Sequence, residues 1–312
     1  MTRIITLTLS PAFDLHCSCA DFRAHHENLA HITSYNAGGK GVNISAALTQ
    51  NGTPNLAIVV LGRENAAEFE RCLNDSRIVY RPIYRDGRIR ENITLHDEKN
   101  RETRISFKGF SADNGLLEDV SSILNEYIGQ DELILTLTGR VPDEIDRESL
   151  IQWLLDLQAR GVKLVIDSKS LTREHLLTIK PWLIKPNEEE LAIYAKKATA
   201  SPYALAISEA KAFYGGGISF AMVSLGADGA LLASDEGICS ASAPRIDPVS
   251  TVGAGDSAIA GFLSAYAQKK SASECLTHAI AFGSAACLTT GTNPPLPEDV
   301  ARLKNLVKIT KL

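Results

Sequence analysis

Residues 250–257 read Ser-Thr-Val-Gly-Ala-Gly-Asp-Ser, so three small residues stand directly before a carboxylate at the start of an apolar helical pattern. The backbone N–H groups of Gly253, Ala254 and Gly255 are open to a bulky anion, and a helix N-terminus adds favourable partial charge. This arrangement suits phosphoryl transfer, in which the amides stabilise the transferring group and Asp256 takes the proton of a hydroxyl acceptor. Because Asp256 falls in the first turn of the predicted helix, we expect its pKa to be low. A glycine-rich turn that only caps a helix has the same composition, so the segment alone leaves both interpretations open.

A second glycine cluster occupies residues 36–43, Asn-Ala-Gly-Gly-Lys-Gly-Val-Asn, and also leads into a helical pattern. Together the two clusters resemble the PfkB family of sugar kinases, whose N-terminal signature is a Gly-Gly element followed by Asn and whose C-terminal signature is Gly-Ala-Gly-Asp. The segments 7–14, 185–190 and 224–230 extend the resemblance over nearly all of the 312 residues. Within the family, both clusters are most similar to the phosphosugar branch of 1-phosphofructokinase, tagatose-6-phosphate kinase and the minor 6-phosphofructokinase.

The resemblance implies a ribokinase-like α/β fold, a three-layer α/β/α sandwich with a mainly parallel central sheet and a small β-sheet lid over the active site. It implies a single kinase domain over residues 1–312, with the lid formed by roughly residues 12–36 and 86–109. It also implies ATP and Mg²⁺ as cofactors and a homodimer joined through the lid. The expected reaction is ATP-dependent conversion of fructose 1-phosphate to fructose 1,6-bisphosphate, with tagatose 6-phosphate or fructose 6-phosphate as alternative acceptors.

Residues in the second half of the chain are candidates for the nucleotide side of this site. Lys185 and Asn187 are two apart at the end of an apolar run, so both side chains can point toward the nucleotide phosphates. The Asn187-x-x-Glu190 spacing resembles the family motif that arranges Mg²⁺ through its water shell, which makes Glu190 an indirect metal contact; an exposed acidic turn is the alternative. By resemblance, the other nucleotide-binding residues are Ser224, Gly226, Gly229, Thr251, Gly253, Gly255 and Gly283, with residues 290–292 near the base.

The candidate acceptor site draws on the N-terminal part of the chain. Asp14 can accept hydrogen bonds from two sugar hydroxyls at once. Gly38, Gly39 and Asn43 would frame the sugar. Lys40 stands inside the glycine cluster, where it is either a contact to a substrate phosphate or a solvated side chain.

Several arginines are candidate contacts to a substrate phosphate. Arg90 and Asn92 fall where phosphosugar members of the family hold an Arg and an Asn that contact the substrate, and we assign Arg104 to the same group. Arginine suits this role because it forms strong, often bidentate bonds with phosphate. For Arg88 and Arg101, protection of exposed edge strands against aggregation explains the charge at least as well.

Two positions depart from the pattern of the phosphosugar branch. Residues 139–142, Gly-Arg-Val-Pro, replace the usual Gly-Ser-Leu-Pro, and Ser10 stands where related kinases often have Asn. Arg140 therefore either adds a phosphate contact or shifts the substrate preference. The departures leave the identity of the sugar open.

A β-hairpin is predicted where residues 88–95 and 101–107 flank the turn-rich tetrapeptide 97–100. Because side chains alternate along a strand, the hairpin should have one cationic and one apolar face. The predicted apolar face consists of Ile89, Ile93, Leu95, Ile105 and Phe107. Such a face needs cover, and a second subunit is a natural source of it.

Elsewhere, apolar runs alternate with helical patterns, which predicts a parallel sheet covered by helices on both faces. The predicted strands span residues 56–61, 133–137, 163–166 and 182–184, followed by a β-meander over 218–224, 230–233 and 237–240. The predicted helices begin near Glu64, Asp146, Leu171 and Asn187, and three more cover about residues 254–268, 273–288 and 297–307. Ser271 and Glu274 have the spacing of a capping box.

Composition narrows the class of protein. A net charge of −5 over 312 residues gives no sign of the basic stripe typical of nucleic-acid binding. The chain has no apolar run long enough to span a membrane and no signal-peptide pattern at its start, so we expect a cytoplasmic protein without a membrane partner. The six cysteines lack metal or redox spacing and are expected to be reduced thiols.

Two classes of function fit these motifs. The first is the kinase described above, and the second is a sugar-binding regulator that kept the fold and lost turnover. The joint presence of Asp256, the residues 253–255, Lys185, Asn187 and Glu190 favours the kinase. A dinucleotide-dependent dehydrogenase is disfavoured because no Gly-x-Gly-x-x-Gly follows the first strand.

Overall fold

The alternating apolar segments form strands and covering helices in the computed structural model, which describes residues 2–98, 101–113, 115–195 and 201–312. The strands are β1 (Thr2–Thr8), β2 (Ala12–Ser18), β3 (His31–Gly38), β4 (Asn55–Gly62), β5 (Tyr80–Arg85), β6 (Arg90–His96), β7 (Glu102–Ser106), β8 (Glu132–Thr138), β9 (Lys163–Asp167), β10 (Leu183–Ile184), β11 (Phe220–Ser224), β12 (Ala230–Ser234), β13 (Gly237–Ser242) and β14 (Lys308–Lys311). The helices are α1 (Lys40–Gln50), α2 (Ala66–Asp75), α3 (Gly115–Leu124), α4 (Arg147–Ala159), α5 (Arg173–Ile179), α6 (Glu188–Ala195), α7 (Pro202–Gly215), α8 (Ala254–Ala267), α9 (Ala272–Ala286) and α10 (Pro297–Lys304).

Ten strands of the described chain form one sheet, in the order β14-β13-β12-β11-β10-β9-β8-β1-β4-β5. The strands from β11 to β5 in this order run parallel, whereas β12, β13 and β14 are antiparallel. Adjacent residues of a strand are buried on opposite faces: Ile5 packs in the cluster with α3 to α7, and Ile4 packs in the cluster with α1 and α8 to α10. The predicted three-layer α/β/α sandwich is therefore confirmed.

The register of the parallel strands brings polar residues together at the carboxyl edge of this sheet. Thr138 at the end of β8 is paired with Asp167 at the end of β9. Ile166 is paired with Ile184, so Lys185, which follows β10, stands next to Asp167. Carboxyl ends of parallel strands are the usual place for a ligand in an open α/β sheet.

A second sheet of four strands, in the order β3-β2-β6-β7, contains the predicted hairpin. Strands β6 and β7 are antiparallel as expected, and residues 99 and 100 of the connecting tetrapeptide lie outside the described residues. The assignment of Ile89 to the apolar face of this hairpin is wrong. Ile89 precedes β6 and is fully buried with Phe13 and Phe69, because its backbone N–H and C=O are still bound by the Asn65 side chain in the main core.

Other elements differ from the predicted set. The helix expected to reach residue 307 ends at Lys304, and the chain then forms β14, which extends the β-meander by pairing with β13. Helices α3 and α7 were not predicted. The capping box of Ser271 and Glu274 is confirmed at the start of α9, and all six cysteines are free. Among the described residues, no helix has the length and apolar character needed to cross a membrane.

Candidate active site

A cleft of about 1030 Å³ opens at the carboxyl edge of the central sheet, between that edge and the second sheet. It is lined by residues of both glycine clusters and of strands β2, β6 and β7. Most of the residues predicted from the sequence line this cleft: Asp14, Gly39, Lys40, Asn43, Arg90, Asn92, Arg104, Arg140, Lys185, Asn187, Ser224, Gly226, Gly229, Thr251, Gly253, Ala254, Gly255, Asp256 and Gly283. Gly38 and Glu190, which were also predicted, do not line it.

Two helix N-termini point into the cleft. Helix α1 follows Gly39 at φ +122°, and helix α8 follows Gly253 at φ +80°, a region that side-chain-bearing residues rarely adopt. Neither helix has a side-chain cap at its first residue, so backbone N–H groups remain available at both positive helix ends. The two glycine clusters therefore provide two helix N-termini that lie side by side and are suited to binding an anion.

Asp256 is the third residue of α8 and is buried at the base of the cleft. Its Oδ2 atom accepts a hydrogen bond of 2.8 Å from Nδ2 of Asn43 on α1. Burial raises the pKa of Asp256 to about 6, against the opposing effects of Lys40 and the Asn43 hydrogen bond. The expectation of a low pKa at this position is therefore wrong, because the loss of water outweighs the neighbouring lysines and the Asn43 hydrogen bond that favour the ionised form.

Asp167 is a charged residue of the cleft that the sequence analysis missed. Its side chain is 3% exposed, and its Oδ2 atom lies 2.9 Å from Nζ of Lys40 and 3.5 Å from Nζ of Lys185. Burial opposes ionisation of Asp167, but the two ammonium groups outweigh this and hold its pKa below the usual value. An Asp directly after the apolar run of β9 is the signal that could have identified it.

Lys185 also lies against the N-terminus of α8. A Cβ atom at Gly255 would come within 3.0 Å of Lys185 Nζ, so glycine leaves room for the ammonium group beside the exposed amides. The two cationic features, lysine and helix terminus, thus meet at one point of the cleft.

The second sheet forms the wall of the cleft where the acceptor is expected, the acceptor wall. Asn92 Nδ2 donates a hydrogen bond of 2.9 Å to Asp14 Oδ1, and a terminal nitrogen of Arg104 lies 4.0 Å from the same oxygen. Gly38 contributes indirectly, because any side chain there would overlap the Asp14 carboxylate. The arrangement leaves Asp14 facing the cleft with its orientation fixed by a neighbouring strand.

Three arginines converge beside this wall. Arg90 is half-buried, and burial together with the nearby charges of Arg140 and Arg104 lowers its pKa. Arg90 donates to the Ser10 carbonyl at 3.5 Å, while its buried Nε has no partner among the described residues. Arg140 forms an ion pair with Asp143. Three neighbouring guanidinium groups, one of which has a buried N–H without a partner in the described residues, are suited to binding an anionic ligand.

Asn187 and Glu190 cap helix α6 reciprocally. Asn187 Oδ1 accepts from the Glu190 backbone N–H at 2.8 Å, and Glu190 Oε2 accepts from the Asn187 backbone N–H at 3.1 Å. Glu188 and Glu189 are exposed, but Glu190 is buried behind the cleft, where it shares a small cavity with Lys185. The alternative of an exposed acidic turn therefore fits Glu188 and Glu189 but not Glu190, which caps the helix and is buried close to the cleft.

The donor set near Glu190 bears on the Mg²⁺ expected for the family. Within the part of the chain that the structure describes, no three His, Cys, Asp or Glu side chains are grouped so as to hold a metal ion. Mg²⁺ commonly keeps several waters and binds through substrate phosphates with one or two protein carboxylates. Glu190 fits such an outer contact, because only its Oε2 atom is used by the helix cap.

The cleft is also lined by a segment that was not predicted, residues 243–248. Gly226 and Gly229, in the turn after β11, have φ values of +55° and +102°, which explains the glycines there. Of the loop expected near the base, Thr292 lines the cleft, and a Cβ added at Gly253 would lie 3.7 Å from its Cα atom, whereas residues 290 and 291 do not line the cleft.

Comparison with known proteins agrees with this geometry. Residues 10–299 match the pfkB family carbohydrate kinase domain. The chain is 30% identical over 284 residues to 1-phosphofructokinase of Escherichia coli strain K12, covering 91% of this chain and 90% of that protein. The 1-phosphofructokinase of Haemophilus influenzae is also 30% identical, over 289 residues that cover 92% of this chain and 91% of that protein.

Solved structures show the same fold. Phosphofructokinase-2 from Escherichia coli in complex with potassium superposes with a TM-score of 0.90 at 25% identity, covering 98% of this chain and 99% of that chain. The same enzyme in complex with substrates and products gives a TM-score of 0.86 at 26% identity, covering 97% and 99%. The chain therefore belongs to the PfkB family of carbohydrate kinases and is an ATP-dependent sugar kinase.

Proposed function

We propose that this kinase phosphorylates a sugar that already carries a phosphate, with fructose 1-phosphate as the acceptor and fructose 1,6-bisphosphate as the product. The convergence of Arg90, Arg104 and Arg140 beside Asp14 carries this proposal. A free sugar needs hydroxyl partners but no group of cations, whereas a phosphate is bound strongly by arginine. The similarity to proteins named 1-phosphofructokinase supports the position of that phosphate.

In the proposed mechanism, Asp14 and Asn92 orient the sugar so that its free primary hydroxyl faces Asp256. With a pKa of about 6, Asp256 is ionised at neutral pH and able to accept the hydroxyl proton as the new O–P bond forms. The amides of residues 253–255 stabilise charge on the transferring phosphoryl group, and Lys185 adds a positive charge beside them. Mg²⁺, held through water by Glu190, would neutralise the nucleotide phosphates when bound.

The proposal also includes a homodimer through the second sheet, which serves as a lid over the acceptor. Strand register places Leu15, Ile32, Ile93, Leu95 and Ile105 on one face of this sheet, opposite to Asp14 and Asn92. Ile105 is 49% exposed and Ile32 is 67% exposed, so this face is uncovered in a single chain. Light scattering should give a mass near twice 33.7 kDa, and Ile105→Ser should weaken the association. A monomer at micromolar concentration would contradict this part of the proposal.

A coupled ADP-release assay with a panel of sugars tests the substrate. The panel contains fructose 1-phosphate, fructose 6-phosphate, tagatose 6-phosphate and free fructose. We expect kcat/KM to be highest for fructose 1-phosphate and at least about 30-fold lower for free fructose, in line with the loss of a buried charge pair. A higher kcat/KM for either 6-phosphate would favour the alternative acceptors, and equal use of free fructose would overturn the phosphosugar assignment.

A further inference from the structure

We propose that Lys40 is a positioning residue for the proposed base Asp256, a fixed cation held on Asp167 that keeps Asp256 ionised, rather than a contact to the substrate phosphate. The sequence left the role of Lys40 open between a phosphate contact and a solvated side chain. The inference rests on the proposed role of Asp256, and its test below includes a measurement that does not depend on turnover.

The position of Lys40 is fixed on both sides. Its Nζ donates a hydrogen bond of 2.9 Å to Asp167 Oδ2, on a side chain that is almost completely buried. Its aliphatic stem runs along Gly139, where an added Cβ would lie 3.5 Å from Lys40 Cβ. Gly139 has φ +83° and donates its N–H to the Asp167 carbonyl at 3.0 Å, so the slot for the lysine stem is itself tied to the end of β9.

Helix α1 presents two polar side chains to two carboxylates. Lys40 and Asn43 are three residues apart and therefore lie on the same face of the helix. Lys40 binds Asp167, while Asn43 Nδ2 binds Asp256 Oδ2 at 2.8 Å. The first turn of α1 thus holds the two buried carboxylates in one arrangement.

The charges around Asp256 show what Lys40 contributes. Charged groups face Asp256 from three elements: Lys40 on α1, Asp167 at the end of β9 and Lys185 after β10. The other neighbours of α8 line the cleft with uncharged residues, Thr8 on β1 and Ala279 and Gly283 on α9. Asp256 and Asp167 thus share the two ammonium groups of Lys40 and Lys185, and the buried Glu190 adds a third carboxylate that acts on Lys40.

Loss of Lys40 would leave Asp167 and Asp256 with Lys185 alone. Two carboxylates that share one cation in a buried site cannot both ionise easily, so one of them binds a proton more tightly. Lys40 is the largest influence that opposes the effect of burial on Asp256. A phosphate contact could use only the remaining N–H groups of Lys40, because its bond to Asp167 holds the ammonium group on the buried carboxylate.

The experiment compares pH profiles of kcat/KM for the sugar phosphate in the wild type, Lys40→Met, Lys40→Arg and Arg90→Met. Lys40→Met should shift the acidic limb of the profile to higher pH by about one unit, because the cation that favours ionised Asp256 has been removed. Lys40→Arg keeps the charge and should leave the limb near its wild-type position. Arg90→Met, at the proposed phosphate contact, should raise KM without moving the limb. If Lys40→Met raises KM as Arg90→Met does and leaves the limb in place, Lys40 is a phosphate contact and the proposal is overturned.

A direct titration separates this proposal from the proposed function. Carbon-13 NMR of aspartate-labelled enzyme without substrate reports the pKa of Asp256, with Asp256→Asn identifying its signal. Lys40→Met should raise this pKa, and Asp167→Asn, which removes a like charge, should lower it. Circular dichroism first establishes that both variants have the wild-type fold. If Lys40→Met is unfolded, Lys40→Arg is titrated in its place, and we expect the pKa of Asp256 to be unchanged in that variant.

The two measurements have separable outcomes. If the pKa of Asp256 shifts as expected but the enzyme phosphorylates no sugar of the panel, the role of Lys40 is supported and the proposed function is overturned. Turnover without the shifts would overturn the role of Lys40 alone.

Discussion

The two ends of the central sheet carry ion clusters that differ in how completely their polar atoms are bonded. At the amino end, Glu132 Oε1 accepts from Lys163 at 2.6 Å and Tyr266 at 3.0 Å, while Oε2 accepts from Thr2 at 2.6 Å and Lys269 at 3.3 Å. Burial opposes ionisation of Glu132, but the hydrogen bonds from Lys163, Thr2 and Tyr266 lower its pKa to about 2. The hydrogen bonds of this cluster connect β1, β8, β9 and α8.

The carboxyl end has the opposite character. Asp256 is buried with a pKa raised to about 6, and the Thr8 and Thr138 hydroxyls and Arg90 Nε are buried without partners in the described part of the chain. Unsatisfied polar atoms reduce stability, and a fold tolerates them where a ligand supplies the missing partners. The comparison indicates that the saturated end, meaning the fully bonded Glu132 cluster, stabilises the fold, and that the unsaturated end is available to substrates. The saturation is a property of that cluster, since Arg3 Nε and Asn55 Oδ1 at the same end of the sheet are also buried without partners in the described residues.

The largest expected effect is at the unsaturated end. Asp256→Asn should lower kcat by about 10²–10⁴-fold, because the proton acceptor is lost while the amides that hold phosphate remain. ATP binding, measured by calorimetry, should be largely retained. Glu132→Gln is the matched control: it removes a carboxylate from the other end of the sheet and should leave turnover intact. An Asp256→Asn variant that kept more than a tenth of the wild-type kcat would show that Asp256 is not the base.

The second largest expected effect is at Arg90 on the acceptor wall, and it should depend on whether the substrate carries a phosphate. Arg90→Ala should reduce kcat/KM for a phosphosugar by about 2–4 kcal/mol in transition-state stabilisation, or about 30- to 700-fold. Residual activity on free fructose should change much less, because that substrate has no phosphate to lose. Equal losses on both substrates in a folded variant would mean that Arg90 serves the structure of the second sheet.

Stability should respond most at the saturated end. The pKa of Glu132 is depressed from 4.5 to about 2, so its ionised form stabilises the folded state above about pH 4.5, and this contribution is lost as the pH falls toward 2. Glu132→Gln should therefore lower the free energy of unfolding at neutral pH by about 2–3 kcal/mol. Urea unfolding at several pH values measures this, and an equal loss at low and neutral pH would count against the ionic origin.

The smallest effect has the opposite sign. The pKa of Asp256 is raised, so the folded state binds its proton more tightly and loses stability as the pH rises from about 4 through 6. Asp256→Asn should stabilise the protein by about 1–2 kcal/mol above pH 6, and the gain should vanish near pH 4. Thermal unfolding across this range tests it. Destabilisation at every pH would show that the ionised carboxylate supports the fold.

Sequence patterns identified the parts of the site that are local in the chain. The glycine clusters mark helix N-termini, and Asn187 and Glu190 mark a helix start, because spacing along one segment decides both. Asp167 was missed because an Asp at a strand end gains meaning only when the sheet register places it between Lys40 and Lys185.

The errors have a common physical origin in tertiary burial. The sign of the Asp256 pKa shift depends on a competition between burial and the contacts of Lys40, Asn43 and Lys185, which a sequence does not reveal. The predicted alternation of Ile89 with its neighbours is correct. Whether its side chain lies on the outer face of the second sheet or in the buried cluster with Phe13 and Phe69 depends on the contact with Asn65. The four-residue β14 is stabilised by the edge of β13 rather than by its own pattern.

The backbone passes from β3 of the second sheet into helix α1 with only Gly39 between them. Strand β3 borders β2, which carries Asp14, and α1 begins with Lys40 on the buried charges. A displacement of the second sheet would therefore be transmitted along one covalent connection to Lys40, without an intervening chain of side-chain contacts. The chain thus has a short mechanical path from the second sheet to the buried charges around Asp256.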